Sequence, residues 1–308
     1  MTFYAKKIIP LLFLYSVIVS AQKKDSLSYK ASYSKDMMIS LYSSNNNLFL
    51  KNNNVQFSPN NSLNFGAGVS LKNTVLNFNY AYGFLPLKSK NIYGKSTITD
   101  LQIHHYGEKL VVDFLWQKYK GFYNEEKKDI KVYPDLAVTQ LGGEISYVFN
   151  RHFSSKAAFE LSEKQMISSG SFILGGGVYY HSLKNIPEFS EQNVFHNFQM
   201  GANGGYAYSW VINDHWLMTG MATLGANFGN TTDLLKDFKI KIYPTAFARG
   251  AVSYHKENWA ASFGFLLHNK VVYTMNNDPL SLYNLNMQII YVRQIDNLFK
   301  KKKKFYQE

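Results

Sequence analysis

The chain has 308 residues, no cysteine and a formal net charge of +12. The lack of cysteine excludes disulfides, thiolate metal sites, cysteine nucleophiles and a lipoprotein anchor. A basic excess is common in nucleic-acid-binding proteins, but the export signal described next argues against a nucleic-acid partner. Five lysines form one run at 300–304. This run is either a solvated tail or a contact for anionic lipid headgroups or cell-wall polymer.

The first residues predict export. Lys6 and Lys7 precede the apolar run Ile8–Val19, and small residues then lead to Ala21. This order of charged, apolar and small residues is that of a secretory signal peptide. The run would span only about 18 Å of a hydrocarbon core about 30 Å thick, so a membrane anchor is disfavoured. We expect cleavage after Ala21.

Alternation of apolar with small or polar residues dominates the chain from about residue 62 to residue 295. Residues 63–71 and 76–83 are clear examples, and period two indicates half-buried strands. Thirteen strands are predicted in chain order: 37–44, 63–71, 75–83, 97–106, 109–120, 136–149, 152–162, 171–183, 198–212, 215–228, 240–255, 258–268 and 282–295.

A membrane barrel explains these strands better than a soluble sandwich. Many strands are long, and their polar faces carry Gly, Asn, Ser and Gln rather than Lys and Glu, as suits a crowded lumen. Aromatic residues make up 16% of the chain, and Tyr206, Tyr208, Trp210 and Trp216 are expected in an interfacial girdle. No later stretch could span a bilayer as a helix, and a closed barrel is the other structure that satisfies the backbone in lipid.

The predicted fold is therefore an all-β, antiparallel transmembrane barrel of the outer-membrane type with about 12 strands (12–14). Single-chain barrels have even strand counts, so one strand between residues 160 and 200 is miscounted or missed. The predicted organisation is a signal peptide at 1–21, an N-terminal segment with a possible first strand at 22–61, the barrel at 62–295 and a basic tail at 296–308. Whether residues 22–61 plug the lumen stays open.

Short turns and longer loops alternate along the chain, as expected of periplasmic and external connections. Short turns are predicted at 72–73, 107–108, 150–151, 213–214 and 256–257, and long loops at 84–96, 121–135, 184–197, 229–239 and 269–280. The charged loop at 121–135 is expected to pack back across the barrel mouth, which would protect Lys127 and Lys128 from proteases.

Two histidine patterns are weak candidates for chemistry. His104 and His105 are adjacent in a strand, so they point to opposite faces and cannot grip one metal ion. His152, Ser154 and Glu163 resemble the arrangement of outer-membrane lipid-A deacylases, with His152 and Ser154 on one strand face. Because residues 150–151 read as a periplasmic turn, this trio would lie far from the outer leaflet.

Three consecutive glycines and a set of inward-facing ionisable residues are the remaining candidate functional residues. Gly175, Gly176 and Gly177 precede strand-like residues, which indicates wall curvature rather than a phosphate loop. Five ionisable residues are expected on the polar faces of their strands, where opposite charges would pair in a stabilising lumen network. A selective pore lining or a small-ligand site is the alternative for this set: Asp113, Glu144, Lys156, Glu160 and Arg249.

Several local strings resemble an uncharacterised bacterial family, the domain of unknown function 4421. They are Tyr119–Tyr123, Tyr133–Leu136, Tyr147–Asn150, Ala157–Phe159, Glu163 with Gln165, and Ser169–Gly176. The resemblance covers roughly residues 60–290 and implies an exported, β-rich outer-membrane protein. It assigns no activity and no catalytic residue to this chain. Outer-membrane barrels usually end on a strand with a terminal aromatic residue, which the barrel-insertion machinery recognises. Here a basic tail, Phe299 to Glu308, follows the last strand instead.

The sequence thus predicts a porin-like, non-enzymatic integral barrel that is structural, pore-forming or accessory to an envelope system. Its expected partners are outer-membrane lipids and the barrel-insertion machinery of a Gram-negative cell, with no metal and no cofactor. A lipid-active hydrolase and a soluble periplasmic ligand-binding β-protein are the alternatives.

Overall fold

A computed structural model describes residues 28–35, 37–52, 55–71, 74–81, 87–126, 129–187, 194–231, 241–273 and 279–296. No helix in these ranges is long and apolar enough to cross a membrane. The helical elements described are a single turn, α1 (Lys90–Tyr93), and a π-helical turn at Lys156–Glu160. The strands are β1 Lys30–Ser32, β2 Met37–Asn52, β3 Val55–Ser58, β4 Asn64–Leu71, β5 Thr74–Ala81, β6 Thr97–Tyr106, β7 Leu110–Glu126, β8 Asp129–Val148, β9 Glu163–Gln165, β10 Ser169–Lys184, β11 Val194–Val211, β12 Trp216–Thr231, β13 Lys241–His255, β14 Trp259–Tyr273 and β15 Pro279–Ile295.

Twelve antiparallel strands form a closed barrel. The wall runs β2, β4, β5, β6, β7, β8 and then β10 to β15, and it closes where β15 pairs with β2. The closing ladder is long, from Met37 opposite Ile295 to Lys51 opposite Ser281. The short β3 bridges β2 and β7 beyond the wall. Closure leaves no unpaired wall edge, which is the condition for crossing lipid with strands.

The wall has an apolar outside and a polar inside, the reverse of a soluble protein. Leu224 on β12 is 73% exposed on the outer face. Its neighbours along the chain, Thr223 and Asn227, are buried in the lumen. This polarity is that of a membrane barrel, so the predicted fold class is confirmed, and a soluble sandwich is excluded.

Aromatic residues on strands β11 to β15 form a girdle at one end of the outer face. Rings of neighbouring strands contact each other there, with centroids 5.0 Å apart for Trp216 and Tyr254 and 5.8 Å apart for Trp259 and Tyr291. On β11, Tyr208 and Trp210 lie 4.7 Å apart. These rings mark one bilayer interface, where the sequence predicted a girdle.

The same end carries the tight connections. Hairpins close through bonds from Gly107 to Leu110, from Ile212 to Trp216 and from Lys256 to Trp259. The barrel's first and last residues, Met37 and Ile295, also lie here. Short turns belong to the periplasmic side of outer-membrane barrels, so we call this the periplasmic end and the opposite one the loop end.

Twelve of the thirteen predicted strands match wall strands, and the prediction at 152–162 is wrong. That stretch holds the π-helical turn and precedes the three-residue β9. The predicted turn at 150–151 is therefore not a hairpin turn but the start of an insertion between β8 and β10. Removing the false strand corrects the odd count to twelve. The first wall strand, Met37–Asn52, lies in the segment that was assigned to the N-terminal region.

The predicted loop at 121–135 is also wrong. Strand β7 continues to Glu126 and β8 begins at Asp129, so this stretch is a hairpin that prolongs the wall. A register shift between Lys120 and Phe122 marks a β-bulge, with Gly121 at a φ of 87°. Alternation breaks at the bulge, and this gave the segment its loop-like pattern. The signal peptide, the turn at 72–73, Lys127, Lys128 and residues 297–308 of the basic tail lie outside the described residues.

Candidate functional site: a polar chamber inside the barrel

An apolar cluster closes the lumen at the loop end. Its side chains project inward from β2, β3, β6, β7, β8, β10, β14 and β15, and each is at most 2% exposed. We call it the mouth cluster: Leu48, Leu50, Phe57, Ile98, Tyr119, Phe122, Leu136, Val138, Leu183, Val272, Leu280 and Leu282. Close packing of this kind excludes water, so this end of the lumen is shut.

A segment of the chain itself closes the periplasmic end. Residues 149–168, which we call the plug, fold into the lumen between β8 and β10. Phe153 and Ala158 are buried against wall residues that include Tyr106 and Ile173. On another side, Leu161 packs against Met38, Ala260 and Val292. The plug therefore touches opposite parts of the wall. Residues 22–61, the candidate plug from the sequence, instead provide β2 and the strap described below.

Ser154 and Gln165 organise the plug internally. The Ser154 hydroxyl donates to a Glu163 carboxylate oxygen at 2.5 Å and accepts from the Ala157 amide at 3.0 Å. The Gln165 side-chain oxygen accepts from the Ser154 amide at 2.8 Å. The Gln165 side-chain nitrogen donates to the carbonyls of His152 and Ile167. These bonds satisfy polar groups that would be costly to bury unpaired, so the turn keeps its shape inside the barrel.

Two polar contacts join the plug to the wall. The Ser70 hydroxyl donates to a Glu160 carboxylate oxygen at 2.6 Å. Arg249 lies 4.2 Å from the centre of the Phe159 ring and donates to the Phe159 carbonyl at 3.5 Å. Burial raises the pKa of the Glu160 carboxyl, a plug group outside the membrane-spanning strands. The plug is thus held by noncovalent contacts, some of them polar.

A segment of the N-terminal region, residues 28–35, contacts the plug. Strand β1 pairs with β9, with Lys30 opposite Gln165. The Tyr29 ring stacks on His152 with centroids 4.1 Å apart. The Tyr33 hydroxyl bonds to the His255 ring on the wall at 2.9 Å. Residues 28–35, which we call the strap, therefore connect the plug to the barrel rim.

A polar chamber of about 250 Å³ lies between the mouth cluster and the plug. Three carboxylates line one side, and neutral or histidine donors hold them. Glu144 accepts from Tyr179 at 2.6 Å and Asn203 at 2.8 Å. Asp113 bonds to His104 at 2.5 Å. Asp100 accepts from the Gln102 amide at 2.8 Å.

Two basic side chains line the chamber as well. Lys270 is only 4% exposed, and its ammonium lies 3.4 Å from the centre of the Tyr179 ring. Arg249 reaches over the plug from β13. Within the described residues, neither cation lies within ion-pair distance of a carboxylate. The chamber therefore contains acidic and basic groups that form no ion pair with each other among the described residues.

The structure distributes the five predicted lumen residues over two elements. Asp113, Glu144 and Arg249 project from wall strands into the chamber. Lys156 and Glu160 belong to the plug and not to a strand, so that placement was wrong. The expected pairing of opposite charges among these five is not seen, because hydroxyl, amide and imidazole groups hold the wall carboxylates.

Sequence reasoning missed Asp100 and Lys270. Asp100 lies on the inward face of a correctly predicted strand, so alternation alone could have found it. Lys270 fell in the predicted loop 269–280, whereas β14 continues to Tyr273. Extending the alternation of β14 by two residues would have placed Lys270 inside the barrel.

The hydrolase-like trio is not assembled. His152 and Ser154 do not share a strand face, because both lie in the plug. The Ser154 hydroxyl bonds to Glu163, whereas the His152 ring stacks on Tyr29. The geometry needed for an imidazole to take a proton from a serine is absent from these residues.

The remaining candidates also have structural roles. His104 faces the chamber, whereas His105 bonds to Thr74 on the outer face, which confirms that the two point apart. In the described part of the chain, no group of three or more His, Asp or Glu could hold a metal ion. Gly175 to Gly177 lie within β10, where Cβ atoms would crowd neighbouring atoms from β8 and β11.

These features define a plugged, membrane-spanning antiparallel β-barrel. The chain belongs to the family described as Domain of unknown function (DUF4421), whose model matches residues 23–292. The family resemblance seen in the sequence is thereby confirmed. A search of curated proteins finds no match.

Solved structures with a similar fold include outer-membrane proteins. The NanC porin is 7% identical, with 82% of this chain and 99% of that chain covered and a TM-score of 0.33. The CymD monoaromatic hydrocarbon channel is 11% identical, with 85% and 89% covered and a TM-score of 0.32. OmpT, an outer membrane protein of Vibrio cholerae, is 8% identical, with 85% and 99% covered and a TM-score of 0.30.

Proposed function

We propose that this protein is a non-enzymatic solute channel of the outer membrane of a Gram-negative cell, closed by its own plug. The observation that carries the proposal is the polar chamber between two noncovalent closures. A barrel used only as a scaffold has no need of a chamber lined by acidic and basic groups that do not pair with each other, since buried charges are costly. A transported solute that carries charged or polar groups would interact with these side chains.

Opening the channel requires changes at both ends. The plug must leave the wall contacts made through Glu160 and Phe159, and the strap is the element positioned to control this. At the loop end, the mouth cluster must separate. A channel with two closures passes a solute without standing open, which suits an outer membrane that excludes toxic compounds.

Planar-bilayer currents of refolded protein test this proposal. The plug is opened by replacing residues 153–165 with a Gly-Ser linker, and the mouth by Leu48→Ser with Val138→Ser. We expect closed wild-type barrels, brief openings in either variant and a sustained conductance in the combined variant. Leu41→Ser on the outer face of β2 is the matched control for the mouth. A combined variant that folds, judged by heat-modifiable gel mobility, yet does not conduct would overturn the channel.

Location and processing need a separate experiment. We propose export with cleavage after Ala21, insertion by the barrel-insertion machinery and contact with outer-membrane lipids. Outer-membrane fractionation and mass spectrometry of the mature N-terminus measure both. A soluble product, or a mature chain that keeps residues 1–21, would contradict this placement.

The non-enzymatic part is tested through the plug. Ser154→Ala and Glu163→Gln remove the groups that a hydrolase would use, and His152→Ala removes the base. We expect lipid-A acylation to be the same in cells that express each variant or the wild type. Acylation that differs between wild type and all three variants would establish an enzyme.

A further inference from the structure

The acidic and the basic residues of the chamber come from strands on opposite sides of the barrel. Asp100, Asp113 and Glu144 lie on the adjacent strands β6, β7 and β8, and Arg249 and Lys270 lie on the adjacent strands β13 and β14. Six pairing steps separate β6 from β13 in either direction around the twelve-strand ring. These residues therefore enter the chamber from opposite sides of the ring, and the Lys270 ammonium reaches the Tyr179 ring, whose hydroxyl bonds to Glu144.

The basic side has hydrogen-bonding capacity that no described residue uses. The Lys270 ammonium has three donors, yet its described contact is the Tyr179 ring at 3.4 Å. This side chain is 4% exposed and borders the chamber. A buried ammonium without an acceptor is costly, so its position favours an anionic group of a ligand in the chamber.

The acidic side is only partly satisfied. One Asp113 oxygen bonds to His104, while the Asp113 side chain remains 35% exposed toward the chamber. The Oδ1 atom of Asp100 is buried, and the neighbour nearest to serving this carboxyl besides Gln102 is the neutral Gln117 side chain. These oxygens are acceptors, and the strong donor that would suit them is a cationic group.

We propose that the chamber binds a small dipolar solute, with its carboxylate toward Lys270 and Arg249 and its ammonium toward Asp113 and Glu144. Amino acids and short peptides are solutes of this class. The inference rests on the proposed channel function in that it names the solute, although binding can be measured without transport. A volume of about 250 Å³ limits the solute to a few residues in length.

Solutes with a single charge fit less well. A simple anion would satisfy the basic side but add negative charge opposite three carboxylates. A simple cation would leave Lys270 without an acceptor. Only a solute with both groups matches both walls, and electrostatic complementarity of this kind provides specificity more than raw affinity.

Equilibrium dialysis of the full-length protein in detergent tests the inference, because long incubation allows entry into a closed lumen. The radiolabelled probes are glycine, diglycine and triglycine, with acetate and methylammonium as single-charge probes. We expect at least one of the three zwitterions to bind at least tenfold more tightly than acetate and methylammonium. Equal or tighter binding of a single-charge probe, or binding of no probe, would overturn the inference.

Three variants locate the site. Lys270→Met and Asp113→Asn each remove one side, and we expect each to weaken binding of the preferred zwitterion at least tenfold. Lys109→Met, at the exposed turn after β6, should leave binding unchanged. If Lys270→Met alters folding, seen as lost heat-modifiable mobility, Asp113→Asn decides, because it keeps the side-chain size. Unchanged binding in Asp113→Asn would contradict the assignment.

The two proposals fail separately. Binding of a zwitterion by a barrel that never conducts would overturn the channel but support the solute class. Conductance in the combined variant without zwitterion binding would overturn the solute class alone.

Discussion

The guanidinium group of Arg249 lies 4.2 Å from the centre of the Phe159 ring and so joins the barrel wall to the plug. The same group borders the chamber from the basic side. Arg249 therefore contacts the plug and also lines the chamber. A solute carboxylate that attracts Arg249 would compete with the Phe159 carbonyl, so occupancy and closure are physically linked.

Replacing Arg249 should loosen the plug. Arg249→Leu removes the cation–π contact and the bond to the Phe159 carbonyl, which together contribute about 1–2 kcal/mol. We expect hydrogen exchange of plug amides in 153–165 to rise about 5- to 30-fold. Arg293→Leu, on the exposed face of β15, is the matched control. Equal exchange in the two variants would show that Arg249 does not hold the plug.

Glu160 should make closure depend on pH. Burial raises the pKa of its carboxyl above the ordinary 4.5 in the docked plug. Docking therefore favours the protonated form, so this contribution is complete below pH 4.5 and is lost as pH rises through the raised pKa. We expect hydrogen exchange of the plug amides, corrected for the intrinsic exchange rate at each pH, to become faster as the pH passes through the raised pKa. Glu160→Gln should remove this dependence, and a dependence that persists in Glu160→Gln would assign it to another group.

Alternation predicted the wall because each wall residue obeys one local rule. Leu224 and Thr223 face lipid and lumen simply because successive strand residues point to opposite sides. Closure of the wall then follows from hydrogen-bond satisfaction in lipid, whereas alternation left the strand number between 12 and 14. The fold class and the lumen position of Asp113 followed from this rule, whereas the girdle at Trp216 followed from aromatic residues near strand ends.

The plug could not be predicted in the same way. Phe153, Ala158 and Leu161 are apolar at irregular spacing, and a short strand pattern fits them as well as a helical turn does. Their burial depends on wall residues from distant parts of the sequence, such as Val292, and no local pattern contains that contact. The meeting of Lys270 and Glu144 at Tyr179 is likewise a property of the closed ring.

Gly121 should tolerate no side chain. Its φ of 87° is strained for other residues, and an added Cβ would overlap the Lys95 carbonyl oxygen. We expect Gly121→Ala to lower the free energy of unfolding by about 1–3 kcal/mol. Gly143→Ala is the control, because the nearest atom to its added Cβ is 3.8 Å away. Urea titration of the barrel in lipid vesicles measures both, and equal midpoints would contradict the role of the bulge.

The position of the bilayer gives the last prediction. Leu224 lies on the outer face of β12, eight residues from the girdle residue Trp216, and it is 73% exposed. Leu224→Arg should lower the free energy of unfolding by about 1–2 kcal/mol, because a charge on the lipid-facing side is costly within the bilayer and the cost falls toward its interfaces. Ile212→Arg, in the periplasmic turn and 62% exposed, should cost about 0–1 kcal/mol. Urea titration in vesicles compares the two variants. Equal costs would mean that lipid does not surround the middle of β12, and the membrane placement of the wall would then be wrong.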